Sequence, residues 1–276
     1  MGERGIEPDE RSGVLHPANL ARYRARWFTP AAEVADVVET YWSVQWNLGA
    51  ERIAQRIVAA PAVTLSLERG AVPAPLVVTG VHAHAWERVI TGSGRVFGIR
   101  LRPAGLAVLG DLTPADVADA TLPVIARLDE RLHAFLAALP LDAEPEVQEV
   151  AADTRIARAL ADRPVPPLHL LANDVVARLA EHGPAPVEVI AAGLGVSGRT
   201  VQRALRATLG QGPSWVGRWI RLQEVVRRLS APDAPPSSEV AAMLGYADQA
   251  HLVNDFRTAV GLTPGAYVRS LRELGG

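Results

Sequence analysis

The feature that most constrains this chain is a pattern that occurs twice between residues 187 and 267. Each copy contains a short apolar helix, a turn with a glycine, and a second helix that carries polar and basic side chains. The copies span residues 187–210 and 238–267, and an arginine-rich helix over residues 215–229 joins them. This arrangement is typical of helix–turn–helix units, which place their second helix in the major groove of DNA.

Local signals support both turns. Gly195 suits the positive φ that follows a helix end, and Ser197 is a good N-cap for the next helix. In the second copy the short helix ends at Gly245, and Asp248 is an N-cap for a helix over residues 249–260. Because the N–H groups at helix starts attract anions, Ser197 and Thr200 are predicted to hold phosphates.

The second helix of each copy has one polar face, since residues three and four positions apart lie on the same side of a helix. The residues predicted to pack inward are Val201, Ala204, Leu205, Leu209, Leu252, Val253, Phe256 and Val260. The predicted DNA-binding residues are Ser197, Arg199, Thr200, Gln202, Arg203, Arg206, Arg218, Asp248, Gln249, His251, Asn254 and Arg257. An ordinary helical bundle is the alternative, and the twofold recurrence favours DNA binding.

The charge of the chain is unevenly distributed. The formal net charge is only −2, but every basic residue is an arginine, and residues 195–228 hold seven arginines against one acid, Glu224. The absence of cysteine excludes disulfides and thiolate chemistry. We find no apolar run of about eighteen residues and no secretory signal, so a cytoplasmic chain without a membrane partner is predicted.

The N-terminal half has a different pattern. Short β-branched and aromatic runs predict strands at residues 40–46, 55–58, 64–67, 76–81, 86–90 and 96–101, which suggests a small barrel or sandwich. A polar stretch at residues 19–30 leads into a predicted helix at 31–39, and further helices are predicted at 104–110, 122–139 and 147–160. A proline-rich break at residues 163–167 indicates a domain boundary.

These patterns predict an α+β chain in three parts. Residues 1–16 form a disordered N-terminus, and residues 17–163 form a β-rich sensor or dimerisation domain, a small barrel with flanking linker helices. Residues 164–276 form an all-α domain with two helix–turn–helix units.

Residues 168–274 resemble the DNA-binding domain of the AraC/XylS family of bacterial transcription regulators. The most diagnostic residues are Ala241, Leu244, Gly245, Tyr246, Asp248, Gln249, His251, Leu252, Phe256, Arg257, Gly261, Thr263, Pro264 and Tyr267. The resemblance implies two helix–turn–helix units that read consecutive major-groove segments, about 34–36 Å apart. Asn254 stands where family members often carry arginine, and Asp255 adds an acid beside it. Weaker phosphate attraction is therefore expected on the second helix.

The strand series that ends at residues 96–105 resembles the cupin-like sensor domain of one branch of this family. The Pro-Asp-Gly turn usual in that branch is replaced here by the sequence AAPA at residues 59–62. Trp42, Trp46 and Trp86 are candidates for lining an apolar ligand pocket, although buried aromatic side chains are core residues far more often.

A metal site is the second candidate in the N-terminal half. His82 and His84 would share one face of a strand, and with Glu87 they form a plausible ligand set. Glu87 follows more closely than the cupin metal motif requires, and no later histidine in this half has suitable neighbours. Surface or pocket histidines are therefore favoured, and no metal or other cofactor is predicted.

The favoured hypothesis is a transcription regulator, not an enzyme, that binds double-stranded DNA and responds to a small-molecule effector or to homodimerisation. Activation through RNA polymerase is the working hypothesis, with repression left open. The helix at residues 122–139 is either a dimer seam or part of a core. The alternative is a metal-dependent cupin-type enzyme with an accessory DNA-binding domain. A repair-type methyl transfer protein is excluded, because its chemistry requires a thiolate acceptor.

Overall fold

The computed structural model describes residues 3–4, 13–183 and 185–275. Most of the predicted disordered N-terminus, residues 1–2 and 5–12, lies outside this range. The last residues of that segment are ordered: Val14 forms a β-bridge with Ile57, and Leu15 is fully buried. The prediction failed there because Leu15 packs against the C-terminal helices, a contact between residues far apart in the sequence. No helix in the described residues is both long and apolar enough to cross a membrane.

The N-terminal half is built on one antiparallel sheet of seven strands. The strands are β1 (Glu3–Arg4), β2 (Tyr23–Phe28), β3 (Val38–Ile57), β4 (Thr64–Gly70), β5 (Leu76–Thr79), β6 (Trp86–Leu101) and β7 (Thr121–Pro123). Their order in the sheet is β1-β2-β3-β6-β4-β5-β7. The mixed α+β class predicted from the sequence is confirmed.

Two strands are far longer than predicted. The predicted segments at 40–46 and 55–58 belong to the single strand β3, and those at 86–90 and 96–101 belong to β6. The two strands pair along nearly their whole length, with a register shift between Asn47 and Arg52. Gly49 and Gly92 lie at this irregularity, with positive φ of 57° and 58°, and the cross-strand pairing resumes on both sides of them. Residues that look like turns in the sequence therefore lie inside long strands.

The sequence also missed β2. Residues 19–30 have the pattern of a polar stretch, yet β2 pairs with β3 from Tyr23 to Phe28. The helix predicted at 31–39 shrinks to a 3₁₀ turn, Ala32–Val34, because Val38 already belongs to β3.

Three helices cover one face of the sheet: α1 (Gly105–Leu109), α2 (Glu130–Ala137) and α3 (Pro145–Asp162). The helix predicted at 122–139 is shorter, because residues up to Pro123 form β7 and Asp129 then caps α2. Leu132, Leu136 and Leu139 are buried against the sheet. These leucines therefore belong to an intramolecular core, which is the second of the two alternatives left open for this helix.

The C-terminal half is helical. Its helices are α4 (Pro167–His182), α5 (Val187–Gly193), α6 (Gly198–Leu209), α7 (Pro213–Leu229), α8 (Ser237–Met243), α9 (Gln249–Val260) and α10 (Pro264–Gly275). One apolar cluster joins α4, α5 and α6 to the start of α7 through Val216, and another joins the rest of α7 to α8, α9 and α10. The helix α7 thus contributes to both clusters and connects the two helix pairs.

The sheet packs directly against the second helix pair. Val58 is fully buried in the cluster of α7 to α10. The indole Nε1 of Trp219 on α7 donates to the Ala59 carbonyl at 2.6 Å. At the end of α9, the Ala85 N–H donates to the Ala259 carbonyl and the Arg56 guanidinium donates to the Val260 carbonyl, both at 2.7 Å. The last carbonyls of a helix have no partner within it, so these two contacts satisfy two of the terminal carbonyls of α9.

Candidate nucleic-acid interface

The two helix pairs have the same turn geometry. Gly195 follows α5 and Gly245 follows α8, and each has φ of 66°. A side chain would be strained in this left-handed region, so a glycine is required at both turns. The predicted positive φ at Gly195 is confirmed.

Both predicted N-caps are present. Ser197 Oγ accepts a hydrogen bond from the Thr200 N–H at 3.2 Å, and Asp248 Oδ1 accepts one from the His251 N–H at 2.7 Å. Each cap satisfies an N–H that the helix itself leaves unpaired. The caps fix the directions in which α6 and α9 leave their turns. The hydroxyls of Ser197 and Thr200 lie 2.8 Å apart at the start of α6.

The outer face of α6 is purely basic and polar. Arg199, Gln202, Arg203 and Arg206 are exposed, whereas Val201, Ala204, Leu205 and Leu209 are buried, as predicted. Within residues 13–183 and 185–275, no carboxylate pairs with the three arginines. Their charge is therefore uncompensated, as binding to phosphates and guanine edges requires.

The outer face of α9 is less basic. Gln249, His251, Asn254 and Arg257 are exposed, while Leu252, Phe256 and Val260 are buried and Val253 is half-buried. Three of these polar residues form side-chain hydrogen bonds within the chain. Arg257 Nη2 donates to Asn254 Oδ1 at 3.3 Å, and Gln249 Nε2 donates to Ser237 Oγ at 2.8 Å. This face thus carries one arginine, against three on α6.

Asp255 lies differently from the sequence interpretation. The sequence places it beside Asn254, as an acid on the outer face, but its side chain is only 11% exposed. It turns toward α7, where Arg218 Nη1 is 3.7 Å from Asp255 Oδ1. The predicted DNA-binding residue Arg218 is therefore partly engaged within the protein. Sequence periodicity missed this pair because it depends on how α7 and α9 cross.

Tyr246 is a further residue that the sequence did not single out for the site. It is buried behind the start of α9, and burial raises the pKa of its hydroxyl to about 12. Its ring meets the His251 ring edge-on, with centroids 5.2 Å apart. The Arg221 guanidinium lies 3.9 Å from the centre of the same ring, which is a cation–π distance. Tyr246 thus connects α7 with the first turn of α9.

The tryptophans proposed for a ligand pocket occupy different surroundings. Trp42 lies across from Gly98 on β6 and its ring covers that glycine. Trp46 is 4% exposed, and its Nε1 donates to the Thr91 carbonyl at 3.0 Å. Trp86, in contrast, donates to Thr121 Oγ1 on β7. Trp42 and Trp46 therefore fill one apolar cluster of the sheet, and Trp86 contacts another strand.

The candidate metal residues are not brought together as a ligand set. His82 and His84 lie on the loop between β5 and β6, so the strand alternation expected for them is absent. Glu87 Oε2 is 3.2 Å from Arg56 Nε, and that ion pair occupies its carboxylate. In the part of the chain that the structure describes, no cluster of three or more histidine and acidic residues could hold a metal ion.

A cleft of about 840 Å³ lies between the sheet and the helical half, and sequence reasoning did not find it. Glu39 and Arg100 line it from the sheet, Arg221 and Glu224 from α7, and Gly245 from the second turn. Its walls come from segments more than a hundred residues apart in the sequence, so no local signal could have revealed it.

Two models of known protein families match parts of this chain. A family model described as a helix-turn-helix domain matches residues 190–270, and a domain of unknown function (DUF6597) matches residues 26–123. The first match spans most of both helix pairs and confirms the helix–turn–helix domain predicted from the sequence. The second spans most of the sheet. No curated protein matches the chain.

Solved structures of ToxT from Vibrio cholerae are similar over most of the chain. ToxT from strain O395 is 10% identical, covers 91% of this chain and 98% of its own, and has a TM-score of 0.41. Wild-type ToxT of strain SCE256 bound to an unsaturated fatty acid is 8% identical, with coverages of 89% and 94% and a TM-score of 0.39. ToxT O395 bound to (E)-4-(8-methylnaphthalen-1-yl)but-3-enoic acid is 10% identical, with coverages of 90% and 98% and a TM-score of 0.39.

Proposed function

We propose that this chain, which carries an AraC-type helix–turn–helix domain at its C-terminus, is a transcription regulator that reads two consecutive major-groove segments of DNA. The observation that carries the proposal is the uncompensated basic face of α6, set on a glycine turn and an N-cap. The equivalent turn and cap of α9 support a second reading helix. We expect α6 to supply most of the affinity, and α9 to contribute register and selectivity.

The central test is Arg203→Ala. Arg203 is exposed in the middle of the α6 face and can pair with a guanine edge, so its loss should weaken binding by about 1–3 kcal/mol. Preference at one base pair should relax as well. The measurement is a fluorescence titration, at two salt concentrations, of a DNA fragment selected from a random pool. Arg127→Ala, which removes an exposed arginine from the N-terminal half, is the matched control. Unchanged binding by Arg203→Ala would exclude α6 as the reading helix.

A small-molecule effector is the second part of the proposal, and the cleft between sheet and helices is the site that supports it. A ligand there would contact the sheet, α7 and the turn at Gly245 together. It could therefore change how the second helix pair is held. A thermal-shift screen of small molecules, followed by DNA titration with each hit, tests this. Hits that stabilise the protein but leave DNA affinity unchanged would argue against an effector role.

Homodimerisation and contact with RNA polymerase are the remaining parts. Since α2 is occupied by the core, the outer face of α3 is the better dimer surface, where Val147 and Val150 are 55% and 64% exposed. A chromosomal target would place the protein in the bacterial cytoplasm. Sedimentation equilibrium and transcription with purified RNA polymerase test the two contacts separately.

A further inference from the structure

Asp255 is an acid on the candidate DNA-reading helix whose side chain is turned inward. Its neighbours Asn254 and Arg257 are exposed, whereas its own side chain is 11% exposed. One carboxylate oxygen is 3.7 Å from Arg218 Nη1 on α7, and the other is 3.8 Å from His251 Nε2 on α9. The carboxylate therefore lies between two side chains that were predicted to meet DNA.

The imidazole of His251 has close neighbours on two sides. Asp255 lies one helical turn further along α9, and the Tyr246 ring meets the imidazole at 86°, in an edge-to-face contact. The His251 side chain remains 45% exposed in the first turn of α9. In helix–turn–helix complexes the N-terminal residues of the second helix contact the base edges. His251 is thus oriented by the protein and still accessible to a ligand.

We propose that Asp255 is a positioning residue for DNA recognition, which holds His251 and Arg218 in the orientation in which they meet DNA. The proposal rests on the proposed function. Arg218 balances the charge of the carboxylate, so Asp255 repels phosphates little. Without the carboxylate, both side chains gain rotamer freedom that must be lost again on binding, which weakens the complex.

The test is Asp255→Asn, which keeps the shape of the side chain and removes its charge. Binding to the selected DNA should weaken about tenfold. The salt dependence should stay the same, because the number of phosphate contacts does not change. If Asp255 acted only as a repulsive acid, the substitution would tighten binding and steepen the salt dependence. That result would overturn the proposal.

Two further variants separate positioning from other roles. Glu239→Gln removes the same charge from an exposed position of α8 and should leave affinity within about twofold. His251→Ala combined with Asp255→Asn should lose less affinity than the sum of the two single losses, since part of the Asp255 effect passes through His251. Fully additive losses would contradict this.

The failure of the positioning role can be distinguished from the failure of the proposed function. If Arg203→Ala weakens binding while Asp255→Asn tightens it, the positioning role fails and the proposed function stands. If Arg203→Ala binds unchanged, the proposed function itself fails.

Discussion

At the scale of single residues, the two candidate reading helices differ in charge more than in shape. Both begin with a side-chain cap and end at a glycine with a left-handed backbone. Three uncompensated arginines lie on α6, whereas α9 has Arg257 alone, tied to Asn254. Because attraction to DNA scales with the number of phosphates neutralised, the two helices are expected to contribute unequally.

Asn254→Arg tests this inequality. Asn254 is exposed on α9, and an arginine there adds one positive charge to the less basic of the two outer faces. We expect tighter DNA binding and a salt dependence steeper by about one counterion. Titrations at several salt concentrations measure both quantities. Val89→Arg adds the same charge on an exposed position of β6 and should change neither. Equal effects of the two variants would show that α9 stays away from the DNA.

At the scale of elements, α3 is joined to the sheet by buried acids. Asp153 is 7% exposed, accepts a hydrogen bond from the Tyr41 hydroxyl at 2.7 Å, and also accepts from the Ala31 N–H. Glu149, one turn earlier, is 3% exposed. Burial, and then the charge of Asp153, raises the pKa of Glu149 above its usual value. Ionising Glu149 is therefore less favourable in the folded protein than in the unfolded chain.

The direction of the pH dependence follows from this shift. Because the folded state holds the proton of Glu149 more tightly than the unfolded state does, stability falls as pH rises through the window between the two pKa values. Glu149→Gln mimics the protonated form. We expect it to raise the melting temperature at pH 8 and to raise it less at acidic pH. Calorimetry at both pH values measures this, and Glu130→Gln, at an exposed position of α2, is the control. A destabilised Glu149→Gln protein at pH 8 would mean that the carboxylate makes favourable contacts.

At the scale of the whole molecule, the sheet and the second helix pair meet through a few contacts made by residues in or beside β3 and β6. The Arg56 guanidinium bridges them, with Nη2 donating to the Val260 carbonyl and Nε 3.2 Å from Glu87. A positive charge at the end of α9 also interacts favourably with the helix dipole. A change in the sheet can therefore reach the end of a candidate reading helix through a single side chain.

Arg56→Ala should loosen this contact. A hydrogen bond to a charged group contributes about 1.5–3 kcal/mol, so we expect a lower free energy of unfolding and faster amide exchange at the end of α9. Hydrogen exchange read by mass spectrometry measures the local effect. Arg52→Ala, on an exposed part of the same strand, is the matched control. Equal exchange at the end of α9 in both variants would show that Arg56 does not hold the two parts together.

The C-terminal helices could be predicted from the sequence because the interactions that define them are local. A glycine at the turn, a cap at the next helix and apolar residues at helical spacing all act within about twelve residues of one another. Gly195, Ser197 and Leu205 therefore behave in the structure as the sequence alone predicts. The polar face of α6 follows from the same periodicity.

Contacts between distant segments could not be predicted in this way. The long pairing of β3 with β6 depends on cross-strand hydrogen bonds that resume on both sides of Gly49 and Gly92, which keep a positive φ at an irregularity in the register. Asp255 faces α7 because of how two helices cross, and the cleft exists because the sheet packs beside α7. The sequence by itself determined where the C-terminal helices begin and end and which side chains share a face of each helix. Only the tertiary structure decided which of those side chains are paired, buried or left accessible, because that depends on neighbours brought together by folding.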